Sequence, residues 1–458
     1  MQRHRHPTGP TQRSVMQDGA AVQSTGSDER VVRVGLLGAG TVGGGIWRIL
    51  DEHADSIAHR TGARIVITRV AVRDLARARD VAIPGAMLTD DPVAVVEADD
   101  VDLVVEVMGG REPAGALIRR AIELRKPVVT ANKELIAHDG PTLTALARAA
   151  GIDLTYEAAV AGGIPIIRPL RESLAGDRVT RVVGILNGTT NYILTRMTED
   201  GADFADVLAD AQAAGYAEAD PSADVDGHDA AAKTAILATL AFDVPVHADD
   251  VYREGIRDVT AADLRVARRL GYVIKLIGVA NVVDGRVGVR VHPAMLPASH
   301  PLASVRGVFN AVYVEADASG PLMFYGQGAG AMPTGAAVVG DVIDAARGLV
   351  HTTTRPSDLH LGTADLRAID ELRTQYCVRL EVDDRPGVLA EVARSFGAHD
   401  VSIAQVWQDG VDDGAELVLV THRSREADLR ATVEALGRVE TVRRVAGVIR
   451  VESEAFAA

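Results

Sequence analysis

VVRVGLLGAGTVGGG, residues 31–45, decides the fold. Its first half, VVRVGLL at 31–37, reads as a short apolar strand that runs directly into a glycine-rich turn. A helical pattern follows through Ile49, and a second strand-like run, RIVITRVAV at 64–72, comes at the distance a βαβ unit requires. Gly38, Gly40 and Gly43 form G-x-G-x-x-G between that strand and that helix. Glycines there permit the tight turn and close backbone approach, and the N–H groups of the helix start hold a pyrophosphate. Outside such a frame the motif is a packing turn; inside it the reading is dinucleotide binding, with Thr41 and Val42 completing the candidate contacts.

Strand-like runs recur at 102–107, 127–130 and 152–156, with helical patterns at 112–125 and 142–150. Strands alternating with helices predict a parallel, doubly wound α/β sheet. From about 160 the rhythm changes. A helix is expected to open at Pro165, followed by a strand at 179–186, helices at 190–198, 203–214 and 228–241, and strands near 272–281, 287–293, 310–316 and 321–325. This reads as an inserted α+β region with a mostly antiparallel sheet. The pattern at 332–348 predicts a long helix returning to complete the first domain. The C-terminal order is strand 376–382, helix 386–398, strands 400–407 and 415–421, helix 425–437, strand 442–451, a βαββαβ unit expected to be small and independent. The expected division is a disordered tail over 1–30, a dinucleotide-binding domain over 31–156 completed by 330–349, a substrate-binding and dimerisation domain over 157–329, a linker over 350–372, and a regulatory domain over 373–458.

Bulk properties narrow the function classes. The chain has 458 residues, 47% of them hydrophobic, with 44 glycines and few aromatics, which suits several α/β domains. A formal net charge of −15 argues against a nucleic-acid partner and requires any anionic ligand to be held by local positive charge or backbone N–H groups. The only cysteine, Cys377, excludes an internal disulfide and fits a reducing, cytoplasmic setting. No apolar run reaches the roughly 18 residues of a membrane span. Residues 1–30 lack the apolar core of a signal peptide, and Met16 is an alternative start.

Several charged residues carry candidate chemistry. At the end of the second strand Arg73 stands beside Asp74, with arginines again at 77 and 79. Arginine suits the 2′-phosphate of NADP(H) and an acid the free hydroxyl of NAD(H), so NADP(H) is favoured with NAD(H) accepted; the plainer reading is a solvated charge cluster. TANKEL at 130–135 follows a buried strand, placing Lys133 at the carboxyl edge where open α/β sheets bind ligands. Lysine there polarises a carbonyl or moves a proton, or simply caps a crevice. In GYAEADPSADVDGHDAAAKTAIL at 215–237, Asp229 and Lys233 share one face of an alanine-rich helix behind an acidic loop. A calcium loop there fails, because Ser222 and Lys233 occupy positions that need Asp and Glu. Glu218 is a candidate for a substrate ammonium and Asp229 for orienting Lys233 or a water; a solvated acidic loop beside a helix-face ion pair is the bland alternative. YEAAVAGGIP at 156–165 offers one carboxylate, Glu157, and flexible carbonyls, either a hard-cation site or a glycine-rich bend. Cys377 is far in sequence from the dinucleotide turn, which disfavours a thiol acyl-enzyme.

With these segments in place the chain resembles the homoserine dehydrogenases of the monofunctional bacterial type from about residue 31 onward. The resemblance is carried by GLLGAGTVG, VVEVMGG, VTANKE, YEAAVAGGIPIIRPL, GILNGTTNYIL, the 215–237 stretch and YGQGAGAMPTGAAV. It implies a Rossmann-type domain with an inserted catalytic and dimerisation domain, and reversible reduction of L-aspartate 4-semialdehyde to L-homoserine with NAD(P)H. That is a step of the aspartate pathway to threonine, methionine and isoleucine. Carried onto matching positions, it implies Lys233 as proton donor and Lys133 as its neighbour at the carbonyl and nicotinamide. It further implies Glu218 and Asp229 as substrate ligands, and Gly215 and Gly330 as cofactor-side glycines. A structural sodium ion is implied on Glu157 and the carbonyls of Val160, Gly162 and Ile164. The C-terminal unit looks like an ACT domain with DDRPGVLAEVA as its ligand turn, implying regulation by an amino acid, L-threonine in the first instance, in a homodimer or homotetramer. An amino-terminal kinase region is not expected in so short a tail. Two rivals stand beside this reading: another NAD(P)-dependent oxidoreductase using His228 with Asp229, and a non-catalytic amino-acid sensor.

Overall fold

The computed structural model describes residues 30–351, 361–411 and 414–452. The expected tail over 1–29, the start at Met16 and residues 352–360 of the expected linker lie outside the described residues. The first sheet contains β1 (Val31–Leu37), β2 (Arg64–Ala71), β3 (Leu88–Thr89), β4 (Leu103–Glu106), β5 (Val128–Thr130) and β6 (Leu154–Thr155), all parallel in the order β3-β2-β1-β4-β5-β6. The order reverses between β1 and β4, so a crevice opens at their carboxyl ends. Helices α1 (Thr41–Glu52), α2 (Ala54–Thr61), α3 (Pro92–Glu97), α4 (Ala114–Glu123) and α5 (Lys133–Ala150) belong to this domain. The helical pattern expected at 142–150 is the latter half of α5, which begins at Lys133. Pro141 lies inside this helix, which Asn132 starts, its Oδ1 accepting the N–H of Leu135 at 3.1 Å. The short elements α2, α3 and β3 were not read at all.

The inserted region follows as β7 (Val179–Ile185), α6 (Gly188–Asp200), α7 (Phe204–Ala213), α8 (Ser222–Val225), α9 (His228–Phe242), β8 (Tyr252–Arg253), α10 (Ala261–Arg269), β9 (Tyr272–Val283), β10 (Arg286–Pro297), β11 (Phe309–Ala316) and β12 (Gly320–Gln327). The helix expected at Pro165 starts at Ile167 and widens into a π turn over Pro169–Ser173. The chain then enters α11 (Ala331–His351), which crosses α1 closely. A Cβ on Gly45 would lie 2.0 Å from the Ala331 carbonyl oxygen, so only glycine permits the crossing. Val338, Val342 and Ala346 of α11 share one core with Leu36 and Ile46.

The C-terminal unit is β13 (Arg373–Asp383), α12 (Val388–Gly397), β14 (Ile403–Val411), β15 (Gly414–Thr421), β16 (Ser424–Arg425), α13 (Glu426–Leu436) and β17 (Val442–Val451). Its core is its own, built on Tyr376, Leu380, Phe396 and Leu417. It is nevertheless not independent, which corrects the sequence reading. β17 pairs in parallel with β10 through Ala294↔Arg450 and Met295↔Val451, so one sheet runs from β12 through β11, β7, β9, β10, β17, β13 and β15 to β14. The latter part of the expected linker also docks: Val287 donates its N–H to the Asp365 carbonyl at 2.9 Å, and Arg367 donates to Val287 at 2.8 Å.

Ion pairs lock this junction. Arg450 grips Glu254 of the inserted region with two bonds of 2.7 and 2.8 Å and Glu426 of α13 with bonds of 2.7 and 3.0 Å. Glu452 accepts from Arg290 at 3.2 Å and from Arg181 at 3.0 Å, and Arg379 reaches Asp263 at 3.0 Å. Removing one member leaves the others buried without compensation. Arg450→Met should therefore cost about 3 kcal/mol in denaturant unfolding, the low end for breaking a buried pair because Glu254 is partly exposed. An unchanged unfolding midpoint would show that these bonds do not hold the two parts together.

Candidate active site

The dinucleotide turn assigns one task to each glycine of the motif. Gly38 turns the chain out of β1 at φ +105°, and a Cβ there would lie 2.9 Å from the Val107 carbonyl oxygen. Gly43 sits so near that its Cβ would meet the Gly38 carbonyl oxygen at 2.2 Å. Gly40, the N-cap of α1, makes no side-chain cap bond, and a Cβ there would meet nothing. Backbone N–H groups are thus open to a ligand at that point, which suits a pyrophosphate. A cleft of about 680 Å³ lies above, lined by Gly38, Gly40, Thr41, Arg48, Arg73 and Arg77 among others. Val42 is half-buried and packs toward the core beneath it. Arg73 and Asp74 are both exposed and both line the cleft, and the Asp74 carboxylate accepts the N–H of Ala76 at 2.9 Å. Gly330, at φ +130°, sets up α11, whose Ala331 lines the same cleft.

A buried glutamate missed in the sequence shapes the next edge. Glu106 ends β4 with no exposure; its Oε1 accepts the N–H groups of Met108 at 2.8 Å and Gly109 at 3.2 Å, and its Oε2 accepts the Thr130 hydroxyl at 2.6 Å. The carboxylate therefore fixes the 107–110 turn against the end of β5. Asn132 donates to the Gly110 carbonyl at 2.6 Å, tying that turn to the start of α5. An acid in the apolar run VVEVMGG was the available signal.

Lys133, the first residue of α5, carries this edge to a second cleft of about 580 Å³. Lys133, Gly215, Glu218, Asp224, His228 and Asp229 line it, with Arg253 as a further cation. Gly215, expected on the cofactor side, is thus on the wall of this cleft. Glu218 is exposed, and its carbonyl accepts from Gln212 at 2.9 Å. Lys233 lies behind Asp229, one helical turn along α9. Its Nζ donates to Asp229 Oδ2 at 2.8 Å and to the Leu186 carbonyl at 2.7 Å, and Lys133 pairs with the other oxygen, Oδ1. Asn187, also missed, donates to Asp229 Oδ2 at 2.9 Å. Asp229 and Lys233 are 7% and 8% exposed, so the pair is buried.

This geometry separates the charge states of the two lysines. Burial works to raise the Asp229 carboxyl, but Lys233 and Lys133 outweigh it and hold the group well below its usual range. Burial lowers Lys233 below an ordinary lysine despite Asp229. Burial also opposes the charge on Lys133, yet Asp229 more than offsets it and the net shift is upward. One lysine releases its proton more readily while its neighbour stays charged. Cys377, the remaining nucleophile, is buried in β13, and burial pushes its thiol up to about 12.

The 156–165 turn lies where β6 leads into the inserted region. Glu157 is buried and accepts the N–H groups of Ile166 at 2.6 Å, Ile167 at 2.8 Å and Arg168 at 2.8 Å. Ala161 and Gly162 take successive left-handed conformations, φ +55° and +53°. The carbonyls of Val160, Gly162 and Ile164 are buried and accept no hydrogen bond among the described residues. Such oxygens beside a carboxylate with a lone pair to spare suit a hard cation. Among the described residues no helix is long and apolar enough to cross a membrane.

Comparison with known proteins agrees with this geometry. The family described as homoserine dehydrogenase, NAD binding domain, matches residues 38–157, that described as homoserine dehydrogenase matches 165–343, and the ACT domain family matches 378–441. The homoserine dehydrogenase of Mycobacterium tuberculosis is 50% identical over 436 residues, covering 93% of this chain and 98% of that one. The homoserine dehydrogenase of Corynebacterium glutamicum is 47% identical over 428 residues, covering 92% and 96%. The crystal structure of a homoserine dehydrogenase from Thiobacillus denitrificans superposes with a TM-score of 0.89 at 41% identity, covering 93% of this chain and 99% of that one. A hyperthermophilic archaeal homoserine dehydrogenase in complex with NADPH superposes with a TM-score of 0.57 at 28% identity, covering 69% and 97%. The chain belongs to the homoserine dehydrogenase family, NAD(P)-dependent oxidoreductases acting on a CH–OH group, and carries an ACT domain at its C-terminal end.

Proposed function

We propose that the second cleft holds L-aspartate 4-semialdehyde or L-homoserine, with Lys233 giving and taking the proton at the reacting oxygen and Lys133 holding positive charge beside it. The observation that carries this reading is the single buried carboxylate, Asp229, whose two oxygens pair with Lys133 and Lys233. An ammonium has three N–H donors. Lys233 gives one to Asp229 and one to Leu186, which leaves the third for the substrate oxygen. Glu218, exposed on the cleft wall, suits the substrate ammonium, and Arg253 the carboxylate. When bound, the dinucleotide supplies hydride for the reduction and accepts it in the oxidation. NADP(H) is favoured over NAD(H), because Arg73, Arg77 and Arg79 line the cleft together with Asp74, whose carboxylate accepts one N–H within its own turn.

Two further assignments follow the family resemblance. Glu157 with the carbonyls of Val160, Gly162 and Ile164 would hold a monovalent cation, sodium by resemblance, which supplies fixed positive charge to this turn. Burial, with Glu157 nearby, raises the Asp341 carboxyl to about 7 despite the Arg168 guanidinium beside it. The ACT domain takes an amino-acid effector, L-threonine as the first candidate, in a dimeric or higher assembly in the cytoplasm.

NADPH oxidation with L-aspartate 4-semialdehyde tests the assignment directly. Lys233→Ala should lower kcat by about 10²-fold or more, the scale for a positioned acid, with KM for NADPH near that of the parent; undiminished activity sinks the role of Lys233. Because burial lowers Lys233, the reduction should weaken as pH rises through its shifted value and homoserine oxidation should strengthen over the same range. Arg73→Ala should raise KM for NADPH more than for NADH, and an unchanged ratio would place the 2′-phosphate elsewhere. Adding threonine to the full-length protein should lower the rate, and indifference to it removes threonine as effector.

A further inference from the structure

Asn187 lies between β7 and α6 and is 5% exposed. Its carbonyl oxygen accepts the N–H of Thr190 at 2.8 Å and the Thr190 hydroxyl at 3.0 Å, which caps α6. Its amide nitrogen donates to Asp224 Oδ1 at 2.6 Å and to Asp229 Oδ2 at 2.9 Å. A carboxamide has two N–H donors and two acceptor lone pairs, and all four are used. The orientation is forced, because turning the amide over would aim N–H groups at the Thr190 N–H and a carbonyl oxygen at two carboxylates. One side chain thus keeps two acidic groups close together at the wall of the second cleft.

We propose that Asn187 is a positioning residue for the reaction: by bridging Asp224 and Asp229 it fixes the carboxylate that fixes Lys133 and Lys233, and so governs how readily Lys233 exchanges its proton. The inference rests on the reading of Lys233 as proton donor and deepens it. Oδ2 of Asp229 takes one N–H from Asn187 and one from Lys233. The amide bond therefore competes for the same oxygen and moderates the pull of Asp229 on the ammonium. The charged groups acting on Lys233 are Asp229, Lys133 and Asp224, and Asn187 touches two of the three. Lys133 in turn feels Asp229, Asp224 and Glu134.

Two substitutions separate the capping task from the bridging task. Serine caps a helix about as well as asparagine but is too short to span the two acids. Asn187→Ser should keep α6 capped and the protein folded, lower kcat for homoserine oxidation about tenfold, the equivalent of one hydrogen bond to a charged group, and leave KM for NADP unchanged. Aspartate also caps, but it adds a third carboxylate that favours the ammonium form of Lys233. Asn187→Asp should therefore move the alkaline rise of the oxidation profile upward by about one pH unit. The proposal is overturned if Asn187→Ser retains the parent kcat, or if Asn187→Asp loses activity with its pH midpoint in place. Should Asn187→Asp not fold, Asn187→Ser decides alone. Failure of the underlying reading has a separate signature: Lys233→Ala would remain active whatever the Asn187 variants do.

Discussion

The constraint on which the rest depends is the burial of three charges, Asp229, Lys233 and the inner end of Lys133, in one place. Buried charges persist only when paired and hydrogen-bonded, so the surroundings must supply close partners. The alanine run of α9 lets that helix lie low on the sheet. Gly184 of β7 and Gly278 of β9 pair directly across the sheet beneath it, and a Cβ on Gly278 would lie 2.1 Å from the Thr234 hydroxyl. That close approach brings Lys233 within 2.7 Å of the Leu186 carbonyl just past the end of β7. A bulkier residue at 278 would lift α9 and separate the ammonium from its second partner, and one at 184 would press on the Leu186 side chain, to which a Cβ would come within 2.5 Å. The small residues of the inserted domain are thus part of the electrostatics and not only of the packing.

The same sheet carries a second arrangement of buried charge at its middle. Arg450 holds Glu254, and the next residues along that loop meet the acidic segment before α9. A Cβ on Gly255 would lie 2.3 Å from the Val225 carbonyl oxygen, Ile256 donates to that carbonyl at 2.8 Å, and Arg257 pairs with Asp226. Three successive residues therefore connect the ion pair at the ACT junction to the loop that ends at Gly227. β17 cannot slide against β10 without moving Glu254, and Glu254 cannot move far without disturbing Val225 and Asp226. The junction and the acidic loop are thus joined by an unbroken run of direct contacts.

The parts of this fold that the sequence discloses are those governed by local pattern. The strand–turn–helix frame around Gly38 and the alternation from 64 to 156 follow from periodicity, and the βαββαβ order of the last segment follows in the same way. What stayed hidden depends on residues far apart in sequence. The pairing of β10 with β17 involves two residues on each strand, and Arg450 in a strand looks like any solvated charge until Glu254 and Glu426 are seen around it. Lys133, Asp229 and Lys233 were nameable because each sits in a distinctive local setting. Asn187 was not, since its visible role is to cap α6 and its second role exists only once α8 and α9 fold back toward it. Glu218 illustrates the opposite case: its position in the acidic loop was plain, but its exposure on the cleft wall was not a property of the loop alone.

The turn around Glu157 meets the geometric demands of both readings that sequence pattern presents as alternatives, a bend and the proposed cation site. As a bend, it needs something to satisfy the first N–H groups of the helix that begins at Ile167, and the Glu157 carboxylate accepts three of them. As a cation site, it needs oxygens pointing inward, and the left-handed pair Ala161–Gly162 turns the intervening peptide groups over. That reversal is possible because Gly162 packs against the backbone of the 328–330 turn, where its Cβ would lie 2.2 Å from the Gly328 carbonyl oxygen. Glu157 also donates its own N–H to Asp341 of α11 at 2.8 Å, and Arg168 reaches that same carboxylate at 2.9 Å. The glycine-rich bend and the proposed cation site therefore share one backbone, since the left-handed turn is what leaves these carbonyls without N–H partners. Positive charge at this turn would act on Glu157 and Asp341 together, and so on the seam where the inserted region meets α11.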